Sequence, residues 1–196
     1  MSSRAAIGIL TCVLIAVVVV VLVTRGDEDG SGGPATELSV DEATAPLAGA
    51  PPELVSLREQ ANEILDEGLE GFEARLAELE GIPVVVNKWA SWCGPCREEF
   101  PFFQSQAIDR EDEVAFLGLL SDDGPETGAD FLAQLPLPYP SYLDADTEIA
   151  SAIGAGREFP STLFIDASGE VAYTKLGPYT DEATLAADID RYATAG

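Results

Sequence analysis

Two cysteines in the segment WASWCGPCREEFP, residues 89–101, have the types and spacing that redox chemistry requires. Only two residues separate Cys93 from Cys96, so their thiols can form a disulfide if a helix begins at the first of them. The apolar run before them, IPVVVNKWA, predicts a buried strand, and CREEFPFFQSQAI predicts a helix. Cys93 then lies at a helix N-terminus, where free N–H groups and the helix dipole favour a thiolate.

The residues between the two cysteines fit this change from strand to helix. Gly94 permits a tight turn, and Pro95 costs nothing in the first helical turn because its missing N–H would have no partner there. We expect Cys93 to be exposed at the helix tip and Cys96, one turn further, to be shielded. An exposed thiolate attacks a substrate disulfide, and a nearby second thiol resolves the mixed disulfide. The spacing therefore predicts thiol–disulfide exchange, with Cys93 as nucleophile and Cys96 as resolving thiol.

A structural staple and a metal clip are the alternatives for this pair. A staple would stabilise the fold little, since so short a loop restrains few unfolded conformations. A metal site needs further ligands, but the sequence contains no histidine, and its third cysteine, Cys12, lies in an apolar N-terminal run. We therefore expect no metal site and no cofactor other than the redox-active disulfide itself.

The charge of the chain disfavours further classes of function. The sequence has 35 acidic and 10 basic residues and a net charge of −25. Such a surface repels nucleic acid, so no nucleic-acid partner is expected. The lack of histidine also weakens a Ser-His-Asp hydrolase and a copper-handling protein as interpretations.

The N-terminal segment predicts a membrane anchor. Residues 5–24 carry no charge, and as a helix about twenty residues span roughly 30 Å, the thickness of a hydrocarbon core. A cleaved signal peptide has a shorter apolar region, so we predict an uncleaved signal anchor, a transmembrane helix, over residues 1–24. Cys12 is interpreted as a small apolar residue within it. The basic charges, Arg4 before the run and Arg25 after it, lean slightly towards an extracytoplasmic position for the rest of the chain.

Composition divides the remainder into a linker and a domain. Residues 25–51 are rich in Gly, Ala, Pro and acidic residues, which predicts a flexible linker. A globular domain is predicted over residues 52–196. Its first part, residues 52–70, is predicted to be an additional N-terminal helix, with apolar residues from Leu54 to Leu65 at helical spacing and a stop at Gly68.

The order of elements in this domain predicts an α/β sandwich. Strand and helix patterns alternate after the cysteines, and they are followed by a hairpin turning at Ser168–Gly169 and by a closing helix. Trp89, at the end of the first apolar strand, is expected in the core.

The cysteine motif resembles a known family. VVVNKWASWCGPCREEFP is similar to the active-site strand and helix of thioredoxin-fold proteins, and within them to the membrane-tethered TlpA/ResA-like group, which includes cytochrome c maturation thioredoxins. Glu99, Phe100 and Pro101 match that subgroup, and FPSTLFIDASGEV matches the family's cis-proline segment and hairpin. The resemblance covers roughly residue 71 to the C-terminus. It implies a thioredoxin-like α/β fold, in which helices flank a central mixed sheet.

The resemblance also implies a substrate groove beside the dithiol. Pro160 corresponds to the cis-proline, and the backbone of Phe159 before it would pair with the bound substrate backbone. Trp92 is expected as a surface aromatic residue at this groove. With Gly94 and Pro95, these residues form the predicted substrate-binding set.

An acid–base helper is predicted one turn past the second cysteine. Glu99 can face the dithiol from there, and its pKa would be raised if it were desolvated beside a thiolate. Glu98 is the alternative by residue type alone, but the family motif selects Glu99. Thioredoxins proper carry a buried aspartate where this chain has Asn87, which cannot act as a base and so leaves that role to Glu99.

Lys88 is a departure from the family pattern. A lysine on a central strand should pair with a carboxylate or extend its ammonium group to solvent. Near the dithiol it would instead stabilise the Cys93 thiolate, and both possibilities remain open. Asn87 and Lys88 are therefore the residues predicted to tune the pKa values of the site.

Together these features predict an enzyme, a membrane-anchored protein thiol–disulfide oxidoreductase that faces the extracytoplasmic space. We expect a reductase, for example one that keeps the haem-binding cysteines of apocytochrome c reduced, with a membrane protein as electron donor. Gly-Pro between the cysteines resembles reducing thioredoxins, an analogy that does not fix the reduction potential. A disulfide-forming or isomerising enzyme on the same fold is the first alternative. A copper chaperone is less favoured, since Met1 is the only methionine and histidine is lacking.

Overall fold

The computed structural model describes residues 38–194. Strands and helices alternate along this range. The elements are, in chain order, α1 (Val40–Ala43), α2 (Pro52–Glu59), β1 (Ile64–Leu65), α3 (Gly68–Glu78), β2 (Val84–Trp89), α4 (Gly94–Asp109), β3 (Ala115–Ser121), α5 (Pro125–Leu132), β4 (Ser141–Asp144), α6 (Glu148–Ala152), β5 (Ser161–Ile165), β6 (Val171–Leu176) and α7 (Glu182–Asp188), which continues as a π-helical segment, Ile189–Ala193.

The strands form one mixed sheet with β2 near its centre. The order is β1-β4-β3-β2-β5-β6, in which β1, β4, β3 and β2 run parallel, and β5 and β6 are antiparallel to their neighbours. The β5–β6 hairpin contains Gly169 with a φ of 83°, a conformation that glycine adopts without strain. The predicted α/β architecture with a central mixed sheet is confirmed, as is the hairpin at Ser168–Gly169.

Side chains of β2 alternate between two cores. Val85 and Trp89 belong to a first core, which also contains both cysteines and the buried residues of α4, α5 and α7. Val84 and Val86 belong to a second core, packed against α2, α3 and α6. Because successive side chains of a strand point to opposite faces, Lys88 lies on the face of the second core.

A glycine makes room for the tryptophan that underlies the cysteines. At Gly118 of β3 an added Cβ would overlap the Ser141 side chain and lie 3.0 Å from Trp89 Nε1. Trp89 is fully buried, as expected, and its Nε1 donates a hydrogen bond to Ser141 Oγ (3.2 Å). Its ring packs against Phe100 and Phe131, with centroids 5.3 and 5.2 Å away. The end of β2 is thereby fixed where α4 begins.

The single helix predicted across Leu54–Leu65 is wrong. Helix α2 ends at Glu59, and Asn62 has a φ of 65°, a left-handed conformation that asparagine tolerates. Asn62 Oδ1 accepts a hydrogen bond from the N–H of Leu137 (2.9 Å), and Ile64 and Leu65 form β1 beside β4. Strand pairing thus overrides the helical spacing, and Gly68 begins α3 instead of ending a helix.

The linker predicted over residues 25–51 is wrong for residues 38–51, because the folded domain already begins there, and residues 25–37 lie outside the described residues. Helix α1 lies within it, opened by a capping box in which Ser39 Oγ accepts from the N–H of Glu42. Ala43 is buried, and Leu47 packs against the second core. These contacts attach residues 38–51 to the domain.

The predicted signal anchor, residues 1–24, lies outside the described residues. Within residues 38–194, none of the helices combines the length and the apolar composition that crossing a bilayer requires.

Candidate active site

Cys93 and Cys96 form a disulfide at the junction of β2 and α4. Their Cα atoms are 5.3 Å apart. Cys93 is the N-cap of α4, and its Sγ accepts a hydrogen bond from the N–H of Cys96 (3.1 Å). Gly94 and Pro95 are exposed and occupy the first two helical positions, as the sequence predicts. An N–H in this position is a donor that would stabilise a thiolate at Cys93 in the reduced protein.

The expectation that Cys93 is exposed is wrong for the disulfide form. Its exposed fraction is 4%, and that of Cys96 is 0%. The disulfide joins the Cys93 sulfur to that of Cys96 at the edge of the first core, where Trp89 and Phe100 are also buried. The difference in accessibility between the two sulfurs is therefore small in this oxidation state.

A pair of aromatic side chains lies next to the disulfide. Trp92 is 57% exposed, its Nε1 donates to the carbonyl of Asp122 (3.0 Å), and its ring centroid lies 4.8 Å from that of Phe159. The peptide bond between Phe159 and Pro160 is cis, as predicted. Pro160 is buried, and its carbonyl accepts a hydrogen bond from the N–H of Gly177 (2.9 Å). The fold thus brings the residue before Cys93 into contact with the residue before the cis-proline.

Glu99 is a fully buried carboxyl group on α4. Its Oε1 accepts from Asn87 Nδ2 (2.8 Å), and its Oε2 accepts from the N–H of Tyr179 (2.9 Å). Burial raises its pKa from 4.5 to about 7, while the hydrogen bonds from Tyr179 and Asn87 and the positive charge of Lys175 act in the opposite direction. A group with this pKa exchanges a proton readily near neutral pH.

The structure separates the two glutamates that residue type alone left equivalent. Glu98 is exposed to solvent, whereas Glu99 is buried. Glu99 follows Cys96 by three residues in α4, so the two side chains share one face of the helix. The second hydrogen-bond donor to Glu99, Tyr179, is 80 residues away in the sequence. No local pattern identifies it.

Further polar groups surround this carboxyl group. Among the described residues, Asn87 Oδ1, Tyr139 Oη and Thr162 Oγ1 are buried side-chain atoms with no hydrogen-bond partner. Asn87 and Thr162 lie directly opposite each other on β2 and β5. Burial, and then the charge of Glu99, raises the pKa of Tyr139. The first core therefore contains a polar cluster behind the disulfide, of which the sequence indicated only Asn87 and Glu99.

Lys88 has neither of the surroundings that the sequence favours. It is 1% exposed, and no carboxylate among residues 38–194 forms an ion pair with it. Its Nζ donates to the carbonyl of Gly156 (2.7 Å) and lies 4.1 Å from the ring centroid of Phe159. A carbonyl and an aromatic face stabilise the ammonium group without requiring the desolvation of a carboxylate. Burial nevertheless lowers the pKa of Lys88. Its influence on the cysteines stays a prediction.

Residues 38–194 contain no group of three or more His, Cys, Asp and Glu side chains placed to hold a metal ion.

The raised pKa of Glu99 predicts a pH-dependent stability. Because the pKa is higher in the folded state, the folded chain binds more protons between about pH 4.5 and 7, and its free energy of unfolding falls as the pH rises through that window. A shift of this size corresponds to about 3 kcal/mol. Glu99→Gln should remove this contribution. Urea unfolding of the wild type and of Glu99→Gln at pH 5 and pH 8 measures this contribution. The free energy of unfolding of the wild type, relative to that of Glu99→Gln, should be larger at pH 5 than at pH 8.

Glu98→Gln is the matched control for this measurement, because Glu98 is exposed on the same helix. Its stability difference from the wild type should stay nearly constant between the two pH values. An equally constant difference for Glu99→Gln would show that the buried carboxyl group does not titrate in this range.

Comparisons with known proteins agree with this geometry. The model of the Redoxin family matches residues 41–189. The thiol-disulfide oxidoreductase ResA of Halalkalibacterium halodurans is 30% identical over 125 residues, which are 63% of this chain and 70% of ResA. ResA of Bacillus cereus is 28% identical over 131 residues, 66% of this chain and 75% of that protein.

Solved structures give the same result. A putative thiol:disulfide interchange protein DsbE from Chlorobium tepidum superimposes with a TM-score of 0.56 and 26% identity, over 60% of this chain and 84% of that one. A DsbF homologue from Corynebacterium diphtheriae superimposes with a TM-score of 0.55 and 28% identity, over 59% of this chain and 75% of that one. The matched residues contain the dithiol, the buried glutamate and the cis-proline. The chain belongs to the Redoxin family, as a ResA-like thiol–disulfide oxidoreductase with a thioredoxin-like fold.

Proposed function

We propose that this enzyme is a membrane-tethered, extracytoplasmic reductase of protein disulfides that uses Cys93 and Cys96 as its dithiol. One observation supports the proposal above the others. The Cys93 sulfur caps α4 and accepts the N–H of Cys96, while a glutamate with a pKa of about 7 lies buried on the same face of the helix. This arrangement provides a nucleophile, a resolving thiol and a proton carrier, and it requires no added cofactor.

The reaction proceeds in two exchanges. The Cys93 thiolate attacks one sulfur of the substrate disulfide, whose S–S bond breaks, and the other substrate sulfur leaves as a thiolate. The Cys96 thiol then loses its proton and attacks the Cys93 sulfur of the mixed disulfide, which releases the second substrate sulfur. Two electrons pass to the substrate, and the enzyme is left with the Cys93–Cys96 disulfide.

Glu99 carries the proton in this scheme. Its carboxylate accepts the proton of Cys96 and delivers it towards a departing substrate thiolate. The pKa of about 7 suits both directions of transfer. Asn87 cannot titrate, and its role is to hold the carboxyl group by the hydrogen bond from Nδ2 to Oε1.

The substrate segment lies along the cis-proline loop in this proposal. The backbone of Phe159 pairs with the substrate backbone, Trp92 contacts it from the exposed side, and Gly94 and Pro95 leave the approach to Cys93 open. The burial of Pro160 and the contact between the Trp92 and Phe159 rings support such a groove. Suitable substrates include the disulfide that the haem-binding cysteines of apocytochrome c can form. A membrane protein supplies the electrons that reduce the Cys93–Cys96 disulfide again.

Trapping of mixed disulfides tests the assignment of the two cysteines. In a Cys12→Ser background, the Cys96→Ser variant of the full-length chain should accumulate covalent adducts with substrate proteins, because its nucleophile is intact and its resolving thiol is missing. The matched Cys93→Ser variant should accumulate few. Non-reducing electrophoresis followed by mass spectrometry measures both. Equal trapping by Cys93→Ser would contradict the assigned nucleophile.

The reduction potential tests the proposed direction. Equilibration of the full-length chain with mixtures of reduced and oxidised glutathione, read out by thiol alkylation and mass, should give a potential below about −200 mV, in the range of reducing thioredoxins and glutaredoxins. A value near −120 mV, typical of a strong oxidant, would instead identify a disulfide-forming enzyme on the same fold.

Membrane attachment is proposed from the sequence of residues 1–24 alone. The full-length chain should remain in the membrane pellet after alkaline carbonate extraction, and the variant that lacks residues 1–24 should move to the supernatant. Cys12→Ser is the control, and it should stay in the pellet because attachment does not depend on lipid at Cys12.

External protease should digest the domain in intact spheroplasts if it is extracytoplasmic. Carbonate-resistant binding of the truncated chain would contradict the anchor.

A further inference from the structure

We propose that Lys88 is a positioning residue for substrate docking, because it supports the aromatic wall that Trp92 and Phe159 form beside the disulfide. The inference deepens the proposed function and rests on it, since it concerns how the same site receives a polypeptide. It assigns to Lys88 a role in binding and none in the exchange chemistry.

Three side chains, which together we call the stack, contact one another in series from the sheet to the surface, and the two rings are tilted by 59° to each other. Lys88 Nζ lies 4.1 Å from the Phe159 ring centroid, and the Phe159 centroid lies 4.8 Å from that of Trp92. An ammonium group at this distance from an aromatic face is attracted by the ring quadrupole. Trp92 is 57% exposed and is further held by its hydrogen bond to the carbonyl of Asp122. The outermost ring is therefore open to a partner, and the innermost group is fixed.

Lys88, at the inner end of the stack, is held by its backbone and by its side chain. Lys88 is paired in the sheet on both sides, opposite Leu119 of β3 and Ser161 of β5. Its Nζ also donates to the carbonyl of Gly156, so it contacts the loop before the cis-proline at two points. Gly156 has a φ of 74°, a conformation that only a glycine adopts easily. Lys88 thus connects the central strand to the loop that precedes the cis-proline.

The stack borders a cleft of a size suited to a polypeptide side chain. The cleft has a volume of about 660 Å³. Lys88, Phe159, Ser151 and Arg157 are among the residues that line it. A substrate segment lying along the cis-proline loop would place a side chain against the Phe159 ring. The position of that ring then determines how well the substrate fits.

A lysine at this position needs an explanation, because an apolar side chain would fill the same space without the unfavourable free energy of burying an ammonium group. Burying an ammonium group is unfavourable, and here a carbonyl and a ring are its contacts. Burial lowers the pKa of Lys88, and the charges of Glu158, Asp144 and Asp122 act in the opposite direction. A titratable amine thus lies at a position where packing alone does not require one, and its contact with the Phe159 ring is the feature that an apolar side chain would not reproduce.

An electrostatic effect on the thiolate is the competing role for Lys88. Its side chain, however, lies on the face of the second core, whereas both cysteines belong to the first core. The contact of Lys88 Nζ with the Phe159 ring, by contrast, is direct, at 4.1 Å from the ring centroid. The two roles differ in what they change, namely the fit of a polypeptide or the ionisation of Cys93.

The test uses the reduced full-length chain and two disulfides. One is a disulfide-bonded peptide, and the other is bis(2-hydroxyethyl) disulfide, which is too small to need the wall. Stopped-flow rates at increasing concentration give the half-saturation concentration and the limiting rate. Lys88→Met should raise the half-saturation concentration for the peptide by roughly threefold to tenfold, with the limiting rate, the small-disulfide rate and the Cys93 thiolate pKa unchanged. Lys88→Arg, which keeps the charge and the donor, should recover most of the loss.

Two variants serve as controls. Arg75→Met removes a largely buried cation that contacts Tyr142 of the second core, and it should leave both disulfide reactions unchanged. Phe159→Leu removes the middle ring and should raise the half-saturation concentration for the peptide to the same extent. In this background, adding Lys88→Met should change that concentration little. If Lys88→Met folds poorly, Phe159→Leu and Lys88→Arg carry the test: Phe159→Leu should raise the half-saturation concentration for the peptide, and Lys88→Arg should leave it near the wild-type value.

Each other outcome has one meaning. A shifted Cys93 thiolate pKa or a changed small-disulfide rate in Lys88→Met would overturn the positioning role in favour of an electrostatic one. An unchanged half-saturation concentration for the peptide would overturn it outright. Failure of the wild-type chain to cleave either disulfide would contradict the proposed function instead.

Discussion

The buried carboxyl group of Glu99 is the constraint to which the surrounding structure is fitted. A carboxyl group in an apolar core is unfavourable unless hydrogen-bond donors reach it. Here one donor comes from β2 through Asn87, and the other is the backbone N–H of Tyr179, which follows β6. The three segments that meet at Glu99 are the strand before the dithiol, the helix after it and the chain beyond the hairpin. The two hydrogen bonds to Glu99 therefore hold these three segments together.

The central strand supplies polar residues to both faces of the sheet. Asn87 and Lys88 are adjacent, both are buried, and they point in opposite directions. Asn87 donates a hydrogen bond to the buried carboxyl group on the side of the first core, and Lys88 contacts the loop that carries the cis-proline. A strand at the centre of a sheet is among the most stable parts of a fold, and its side chains can therefore hold α4 and the loop before the cis-proline in place. Two neighbouring positions of one strand thus serve the two sides of the same site.

Local signals in the sequence were sufficient for the elements and for the dithiol. The apolar strand, the Gly-Pro turn and the following helix are all specified within a few residues, and β2, α4 and the hairpin lie where these patterns place them. The failures arose where distant contacts decide the outcome. Ile64 and Leu65 have helical spacing but pair with β4, and residues 38–51 look like linker but bury Ala43. Composition does not encode such pairings.

The same limit applies to the site. Glu99 and Asn87 were identified from the motif. Tyr179, whose N–H reaches the carboxyl group, and Tyr139, whose pKa is raised by burial and then by the charge of Glu99, lie in segments with no chemical signature. The burial of Cys93 depends on the disulfide and on the packing of the first core, which no spacing rule describes. Lys88 was recognised as unusual, yet its partners are a carbonyl and a ring, and neither is visible in a pattern of charges.

The position of Glu99 on the same helical face as Cys96 also links two equilibria. A negative sulfur nearby raises the proton affinity of the carboxyl group. Thermodynamic reciprocity then requires that a proton on Glu99 raise the electron affinity of the disulfide by the same free energy. The acidity of the compartment in which the domain works is consequently one of the quantities that set the balance between its oxidised and reduced forms.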